Sequence, residues 1–238
     1  MSGLLWPSRS LITGTRHGGD GPLSIQDFVS LTFLDGSGCR ACALPLEIDL
    51  GEVSLCAACS AKPPVWDQAR AALAYDDYSR RPILELKHAG RRDGLNAMGT
   101  WLTSAGYEIL PQTDYLIPVP LHYRRLAKRG FNQSAWLAQA VSRRSRTPVL
   151  VDGLVRHRAT PTQGGLSANA RRRNVAGAFR MRERHAERLS GATVTLVDDV
   201  YTTGATLKAC TRALRKGGVA HVNLLVLARV VREADVTI

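Results

Sequence analysis

This chain of 238 residues has few acidic residues, no long apolar run and none of the glycine patterns of common nucleotide sites. No run of 18 apolar residues occurs, so we expect no membrane-spanning helix. The apolar start Leu4-Leu5-Trp6 is interrupted by Pro7 and is too short for the core of a signal peptide. Neither G-x-x-x-x-G-K-[ST] nor G-x-G-x-x-G occurs, so neither a Walker-type loop nor a dinucleotide loop is expected. These absences predict a cytoplasmic protein.

Acidic residues are few, and they are unevenly distributed. The 20 Asp and Glu residues stand against 32 Lys and Arg residues, which gives a net charge of +12. Residues 121–190 contain 16 of the basic residues but only three acids. Such a block favours polyanions, either nucleic acid or a small ligand with several phosphates. An arginine-rich solvated surface is the alternative, and charge alone does not decide between them.

The apolar content, 45% of the residues, is enough for one main core with a small addition. Residues 1–23 lack periodicity, and we expect a mobile tail there. Residues 24–65 predict a helix followed by a cysteine cluster, and residues 66–238 predict the main domain. The helix is expected over Ser24 to Leu34, with Ser24 as its N-cap. Its packing face would consist of Ile25, Phe28, Val29 and Phe33.

Beyond residue 66, apolar runs typical of strands alternate with amphipathic stretches typical of helices. This alternation predicts an α/β fold, with a mainly parallel twisted sheet flanked by helices. The predicted strands are residues 69–75, 115–119, 149–155, 193–197 and 219–227. The predicted helices are residues 80–88, 95–105, 133–141 and 205–216.

Two cysteine pairs, Cys39-x-x-Cys42 and Cys56-x-x-Cys59, are separated by thirteen residues. This spacing lets two turns present four thiolates to one tetrahedral Zn2+, so we predict a structural zinc knuckle. Disulfides are the alternative, which a reducing compartment disfavours. The fifth cysteine, Cys210, lies on the apolar stripe of a predicted helix and is expected in the core.

The most informative stretch is the predicted strand Val194 to Val197, which ends in two aspartates and is followed by a loop rich in threonine. Ligands of an open α/β sheet bind beyond the carboxyl ends of its strands. Adjacent carboxylates there are costly unless they face a cation or hydroxyl groups, and a ribose held with Mg2+ supplies both. The loop offers backbone N–H groups, threonine hydroxyls and a helix start, which suit a phosphate. The candidate ligands are Asp198, Asp199, Val200, Tyr201, Thr202, Thr203, Gly204, Ala205 and Thr206. The alternative is a polar turn before an N-capped helix, with two solvated aspartates.

This loop resembles that of the type I phosphoribosyltransferases, in which two acids precede a turn rich in Thr and Gly. Pro118-Val119-Pro120, the run Arg129-Gly130-Phe131-Asn132-Gln133-Ser134 and the cysteine pairs resemble the ComF family of bacterial competence proteins, from about Leu31 to Val230. The resemblance implies a type I phosphoribosyltransferase fold with a small N-terminal zinc-binding appendage. It also implies binding of 5-phosphoribosyl-1-pyrophosphate (PRPP) with Mg2+, and transfer of ribose 5-phosphate to an acceptor that the sequence does not identify, with release of pyrophosphate.

Two basic segments are expected near the pyrophosphate. Residues 120–130 follow a predicted strand toward the same sheet edge as the aspartates, and by resemblance they form the pyrophosphate loop. Residues 156–179 resemble the flexible hood that closes over the substrate. The candidates are Arg124, Arg125, Lys128 and Arg129 in the first segment, and Arg158, Gln163, Arg173 and Asn174 in the second. Arg129 and Arg158 join Asp198 and Asp199 as catalytic candidates. An exposed basic turn and a disordered connection are the alternatives.

Lys87 lies in a Leu-Lys pair similar to one in the family, and both packing and phosphate attraction stay open for it. Three functions are compatible with these residues. The first is the transferase, and the second is binding of single-stranded nucleic acid, which the competence association of the family implies. The basic segment has few aromatic residues for stacking on bases, mainly Phe131, Trp136 and Phe179. The third is a PRPP sensor without catalysis, which would have the same ligand site.

Overall fold

The computed structural model describes residues 8–19, 21–34, 38–46, 54–158, 173 and 175–232. Its strands are β1 (Ser8–Arg9), β2 (Arg16–His17), β3 (Ala69–Ala74), β4 (Tyr115–Pro118), β5 (Leu154–Arg156), β6 (Phe179–Met181), β7 (Thr193–Tyr201) and β8 (His221–Arg229). Its α-helices are α1 (Ile25–Val29), α2 (Ala57–Ala61), α3 (Asp77–Leu84), α4 (Leu95–Ala105), α5 (Tyr123–Arg129), α6 (Gln133–Ser145), α7 (Ala186–Leu189) and α8 (Ala205–Lys216). A π-helical turn, Glu85–Ala89, extends α3.

A four-stranded parallel sheet in the order β3-β8-β7-β4 forms the centre of the fold. Strand β4 ends at Pro118, which is paired with Val197 of β7. Because β7 continues to Tyr201, its last four residues extend beyond the end of β4. The paired aspartates therefore lie at the carboxyl edge of the sheet, where ligands of this fold class bind.

Helices cover both faces of the sheet, because successive strand residues point to opposite sides. On one face, Leu225 lies in a buried cluster with Leu102 of α4 and Leu137 of α6. On the other face, Leu224 lies in a cluster with Leu207 of α8 and with all four knuckle cysteines. The predicted parallel sheet flanked by helices is confirmed. No helix in the described part of the chain has both the length and the apolarity that crossing a membrane requires.

The element predictions hold best where periodicity is strongest. Helices α4 and α8 have the bounds that the sequence predicts. The prediction of a strand over residues 149–155 is wrong. Val149 forms only an isolated bridge with Leu116, and the chain turns through Asp152-Gly153 before the short strand β5, which pairs with β6 instead. An Asp-Gly pair is a strong turn signal, and here it interrupts the apolar run.

Two N-terminal expectations also differ from the structure. Part of the segment predicted as a mobile tail forms the hairpin of β1 and β2, with Leu11 and Ile12 buried. Helix α1 begins after its predicted N-cap, Ser24, but ends at Val29 rather than at Leu34. Its apolar face does not pack as expected, since the side chains of Ile25, Phe28 and Val29 are exposed. Asp27 is the buried residue of this helix, and it accepts a hydrogen bond from Thr13 of the hairpin.

Candidate functional site

Two residues at the start of α6 hold the two carboxylates near the end of β7. The Ser134 hydroxyl donates to Asp198 Oδ1 at 2.9 Å, and Gln133 Nε2 donates to Asp199 Oδ2 at 3.2 Å. The backbone N–H of Asp199 also donates to Asp198 Oδ1, at 2.9 Å. Asp199 is buried, and Asp198 is partly buried. The packing of α6 on β7 therefore fixes the orientation of both carboxylates.

A lysine supplies positive charge to this pair. Lys87 Nζ lies 3.1 Å from Asp199 Oδ2. Although burial alone would lower the pKa of Lys87, the attraction to Asp199 and Asp198 outweighs it, and the pKa is raised. Lys87 lies in the π-helical turn after α3, and such turns are frequent at functional sites. Lys87 is therefore a counter-ion of the aspartates in this structure, and its attraction to phosphate stays a prediction.

The pair of carboxylates still lacks sufficient compensating charge. Burial, followed by repulsion from Asp199, raises the pKa of Asp198 to about 7. A carboxylate is difficult to ionise where it is poorly solvated and beside a second negative charge. Oxygen ligands of this kind suit a hard divalent cation such as Mg2+. The donor set and its excess negative charge therefore fit a metal-bound substrate.

The aspartates form part of the wall of an open cavity of about 450 Å3 at the carboxyl edge of the sheet. The start of helix α8 forms another part, through Gly204, Ala205, Thr206 and Leu207. Gly204 is the N-cap of α8 and has a φ of 69°, in the left-handed region that favours glycine. Backbone N–H groups at a helix start and the positive end of the helix dipole together attract anions.

Cationic side chains also line this cavity. Arg125 and Arg129 come from α5, and Arg156 comes from β5. Burial, together with repulsion from Arg125, lowers the pKa of both Arg129 and Arg156. Arg129 also donates to Gln133 Oε1 at 2.8 Å, which links it to the residue that holds Asp199. Crowded cations of this kind favour a ligand with several negative charges.

The structure brings most of the predicted ligands to this cavity, but not all of them. Of the candidates, the lining includes Asp198, Asp199, Val200, Thr202, Gly204, Ala205, Thr206, Arg125 and Arg129. The candidates that do not contribute to the described lining are Tyr201, Thr203, Arg124, Lys128, Arg158 and Arg173. Arg124 and Lys128 are exposed on α5, and Arg158 donates to the backbone oxygen of Ala176. Gln163 and Asn174 lie outside the described residues.

Three polar residues of the described lining were not chosen from the sequence: Gln133, Ser134 and Arg156. Gln133 and Ser134 belong to the run that carries the family resemblance, but polar residues at a helix start are usually explained as caps. Asn132 is the actual cap here, because its side chain accepts from Ser134 N. Two consecutive polar residues beyond the cap were the available signal in the sequence, and the structure buries both.

The four cysteines lie close enough together to bind one metal ion. Their sulfur atoms all lie within 4.8 Å of one another, and Cys42 Sγ is 3.8 Å from Cys56 Sγ. Four thiolates at about 2.3 Å from a tetrahedral Zn2+ would be separated by about 3.8 Å. All four are free thiols rather than disulfides. The Arg229 guanidinium is buried and donates to Cys42 Sγ at 3.5 Å, as expected beside an anionic thiolate cluster. The cluster is therefore compatible with zinc. Cys210 is buried in the core, as predicted.

Comparison with known proteins gives a consistent result. A family model described as phosphoribosyl transferase domain matches residues 103–235. DNA utilization protein YhgH of Escherichia coli O157:H7 is 35% identical over 179 residues, which cover 73% of this chain and 77% of that protein. Competence protein F of Haemophilus influenzae is 43% identical over 116 residues, 49% of this chain and 50% of that protein. Competence protein ComFC of Bacillus subtilis is 30% identical over 164 residues, 68% of this chain and 64% of that protein.

Proposed function

The chain belongs to the phosphoribosyl transferase domain family, together with the ComF competence proteins, and from this membership we propose that it is a cytoplasmic phosphoribosyltransferase. It binds PRPP with Mg2+ and transfers ribose 5-phosphate to an acceptor, with release of pyrophosphate. The observation that supports this best is the cavity itself. Its lining combines two carboxylates, a helix start and three arginines.

Each part of the cavity suits one part of PRPP. The start of α8, with Thr202, Gly204 and Thr206, would bind the 5-phosphate through N–H groups and hydroxyls. Asp198 and Asp199 would accept hydrogen bonds from the ribose hydroxyls. Arg125, Arg129 and Arg156 would bind the pyrophosphate, where negative charge develops as the bond to C1 breaks.

Magnesium has a place in the same scheme. Asp198 and Asp199 would hold Mg2+ through their carboxylate oxygens, directly or through water. When bound, the cation would neutralise charge on the pyrophosphate and so make it a better leaving group. Lys87 then becomes free to leave Asp199 and contact a phosphate oxygen. Transfer in this scheme needs no covalent intermediate, because the residues place charge around two reactants held together.

The proposal can be tested by calorimetric titration of the full-length protein with PRPP and Mg2+. We expect binding in the parent and none in a variant that carries both Asp198→Asn and Asp199→Asn. The melting temperature of this variant should be measured first, because it must be folded for the comparison to count. If the folded parent fails to bind PRPP, both the transferase and a PRPP sensor are excluded. If the parent binds, pyrophosphate release with a panel of nucleophiles separates transferase from sensor.

A second candidate function is binding of single-stranded nucleic acid, either beside the transferase activity or instead of it. Relatives of this chain are named DNA utilization protein and competence protein. Helix α5 presents an aromatic and two cations outside the cavity, since Tyr123, Arg124 and Lys128 are all exposed. An exposed aromatic among cations is the combination that single-strand binding uses.

We also propose that the metal held by the four cysteines is Zn2+ and that its role is structural. All four sulfur atoms would bind the ion, which leaves no open position for a substrate. Zinc analysis of the purified protein by mass spectrometry tests this, with about one zinc per chain expected. Loss of bound zinc in a Cys56→Ser variant would connect the ion to this cluster.

A further inference from the structure

Gly204, at the start of α8, rests on two aromatic rings that connect it to another part of the molecule. A Cβ atom built on Gly204 would lie 3.0 Å from Tyr201 Cε2 and 3.1 Å from Trp66 Cη2. The two rings meet edge to face, with centroids 5.8 Å apart. Tyr201 was expected to contact phosphate, but it is buried and does not contribute to the described lining of the cavity. Trp66 and Tyr201 therefore pack against Gly204, in the turn before α8 that is proposed to bind phosphate and is called the phosphate-binding turn below.

The same two rings also contact the cysteine knuckle. The indole Nε1–H of Trp66 donates a buried hydrogen bond of 2.6 Å to the backbone oxygen of Ala41, between Cys39 and Cys42. The Arg229 guanidinium lies 4.8 Å from the centre of the Tyr201 ring and donates to Cys42 Sγ. Trp66, Tyr201 and the four cysteines lie in one buried cluster. Two separate paths thus join the knuckle to Gly204, one through Trp66 and one through Arg229 and Tyr201.

The charges along the second path fit a metal-loaded knuckle. No carboxylate of the described residues forms an ion pair with Arg229, and within the described region its buried Nε has no hydrogen-bond partner. A Zn2+ ion with four thiolates carries two net negative charges, one of which a buried guanidinium would compensate.

From these contacts we propose that the cysteine knuckle sets the conformation of the phosphate-binding turn, so that zinc binding and PRPP binding stabilise each other. Trp66, Tyr201 and Arg229 act as positioning residues in this coupling, because none of them lines the cavity. If bound zinc raises the affinity for PRPP by some factor, then bound PRPP must raise the affinity for zinc by the same factor. The inference rests on the proposed function where PRPP is concerned, but the contact between Gly204 and the knuckle can be tested without PRPP.

Zinc release provides the first test. The full-length, zinc-loaded protein is mixed with a chromogenic zinc chelator in excess Mg2+, with and without PRPP. Because differences in affinity appear mostly in the dissociation rate, we expect PRPP to slow zinc release at least about fivefold, the lower end of typical coupling between sites. The variant with both Asp198→Asn and Asp199→Asn should show no slowing, which also controls for metal binding by free PRPP. Equal rates with and without PRPP in a parent that binds PRPP would overturn the coupling.

A matched pair of tryptophan variants tests the path. Trp66→Phe removes the indole donor to Ala41 but keeps a ring near Gly204. In this variant, PRPP should have little effect on the rate of zinc release. Trp101→Phe is the control, because Trp101 packs edge to face on Phe33 in the cluster on the opposite face of the sheet. PRPP should slow zinc release from Trp101→Phe as much as it does from the parent. If PRPP slows zinc release from Trp66→Phe to the same extent, the path through Trp66 is wrong.

Zinc release without ligand separates failure of the coupling from failure of the proposed function. In Gly204→Ala, the new methyl group would press on Tyr201 and Trp66, so zinc release should be several-fold faster than in the parent. Gly191→Ala is the control, since Gly191 has a similar φ of 72° but no atom within 4 Å of an added Cβ. If the parent does not bind PRPP, the proposed function fails, and the Gly204→Ala result alone decides the coupling. A release rate equal to that of Gly191→Ala would overturn it.

Discussion

At the scale of single residues, the ion pair between Lys87 and Asp199 leads to a prediction about ligand binding. Lys87 is about one-third exposed, so it can move from the carboxylate to a phosphate oxygen. A hydrogen bond to a charged group contributes about 1.5–3 kcal/mol. We expect Lys87→Met to weaken PRPP binding about tenfold or more in calorimetry with Mg2+. Lys87→Arg keeps the charge and should restore much of the affinity. Parent-like affinity in Lys87→Met would show that Lys87 only balances charge in the empty site.

The raised pKa of Asp198 predicts a dependence of stability on pH. An aspartate with an ordinary pKa of about 3.9 in the unfolded chain and a pKa of about 7 in the folded protein keeps its proton more firmly when folded. Stability is then lost as pH rises from about 4 to about 7, because the unfolded state releases the proton first. Without ligand or Mg2+, Asp198→Asn should melt at a higher temperature than the parent. The difference should be larger at pH 8 than at pH 5.

The exposed Asp77 provides the control for this measurement. The difference in melting temperature between Asp77→Asn and the parent should be the same at pH 5 and at pH 8. Equal gains for Asp198→Asn at pH 5 and pH 8 would contradict the raised pKa. A gain in stability together with loss of PRPP binding would mean that the site keeps a destabilising charge because its ligand requires it.

The sequence predicted some residues of the site and missed others for a physical reason. Asp198, Gly204 and Thr206 follow one strand, so a single local pattern places them together. Ser134 and Gln133 reach the aspartates across 64 and 66 residues of sequence. Such contacts depend on how α6 packs against β7, which no local pattern specifies. Tyr201 was misassigned for a related reason: alternate residues of a strand point to opposite faces, and β7 extends further than predicted.

At the scale of secondary-structure elements, the close packing of α4 on α6 predicts the effect of a glycine substitution. A Cβ on Gly99 would lie 2.7 Å from Ala140 Cβ and 3.2 Å from the Ala140 carbonyl carbon. Alanine favours a helix by about 1 kcal/mol over glycine, but overpacking a filled interface costs about 1–3 kcal/mol. We expect the overpacking to dominate, so that Gly99→Ala lowers the free energy of unfolding, measured with urea. Gln139→Ala, at an exposed position of α6, should change it by less than about 0.5 kcal/mol. A stabilised Gly99→Ala would show that the two helices can separate at little cost.

Among the elements, those with long periodic patterns were predictable and short irregular ones were not. Helices α4 and α8 each carry enough turns for their apolar stripe to define both ends. Helix α1 has five residues, and its side chains were assigned to the core although they are exposed. A stripe of that length does not reveal whether a partner surface exists. The hairpin of β1 and β2 has only two residues per strand, so it carries no detectable alternation.

At the scale of the whole molecule, the cysteine knuckle is part of the main fold. Its cysteines share a buried cluster with Leu207 of α8 and Leu224 of β8. The sequence predicts a separate segment because Lys62-Pro63-Pro64 resembles a linker. Trp66, two residues later, instead connects the knuckle to the turn at Gly204. A metal site that shares its core with a ligand site is well placed to influence it.

The uneven charge of the whole molecule gives the last prediction, on single-stranded nucleic acid. Tyr123 is 63% exposed on α5, and Arg124 and Lys128 are exposed on the same helix. If α5 binds a single strand, the logarithm of the binding constant, measured by fluorescence anisotropy, should fall linearly with the logarithm of the salt concentration, with a slope of about 0.7 per phosphate contact. Tyr123→Ser should weaken binding by about 1–3 kcal/mol without changing this slope, because stacking on a base involves no counterion. Arg124→Gln together with Lys128→Gln should reduce the slope itself.

Tyr107→Ser is the matched control, since Tyr107 is also 63% exposed but follows α4, outside the basic segment. Equal losses in the two tyrosine variants would mean that α5 does not bind the strand, and the excess charge would then serve the phosphates of PRPP.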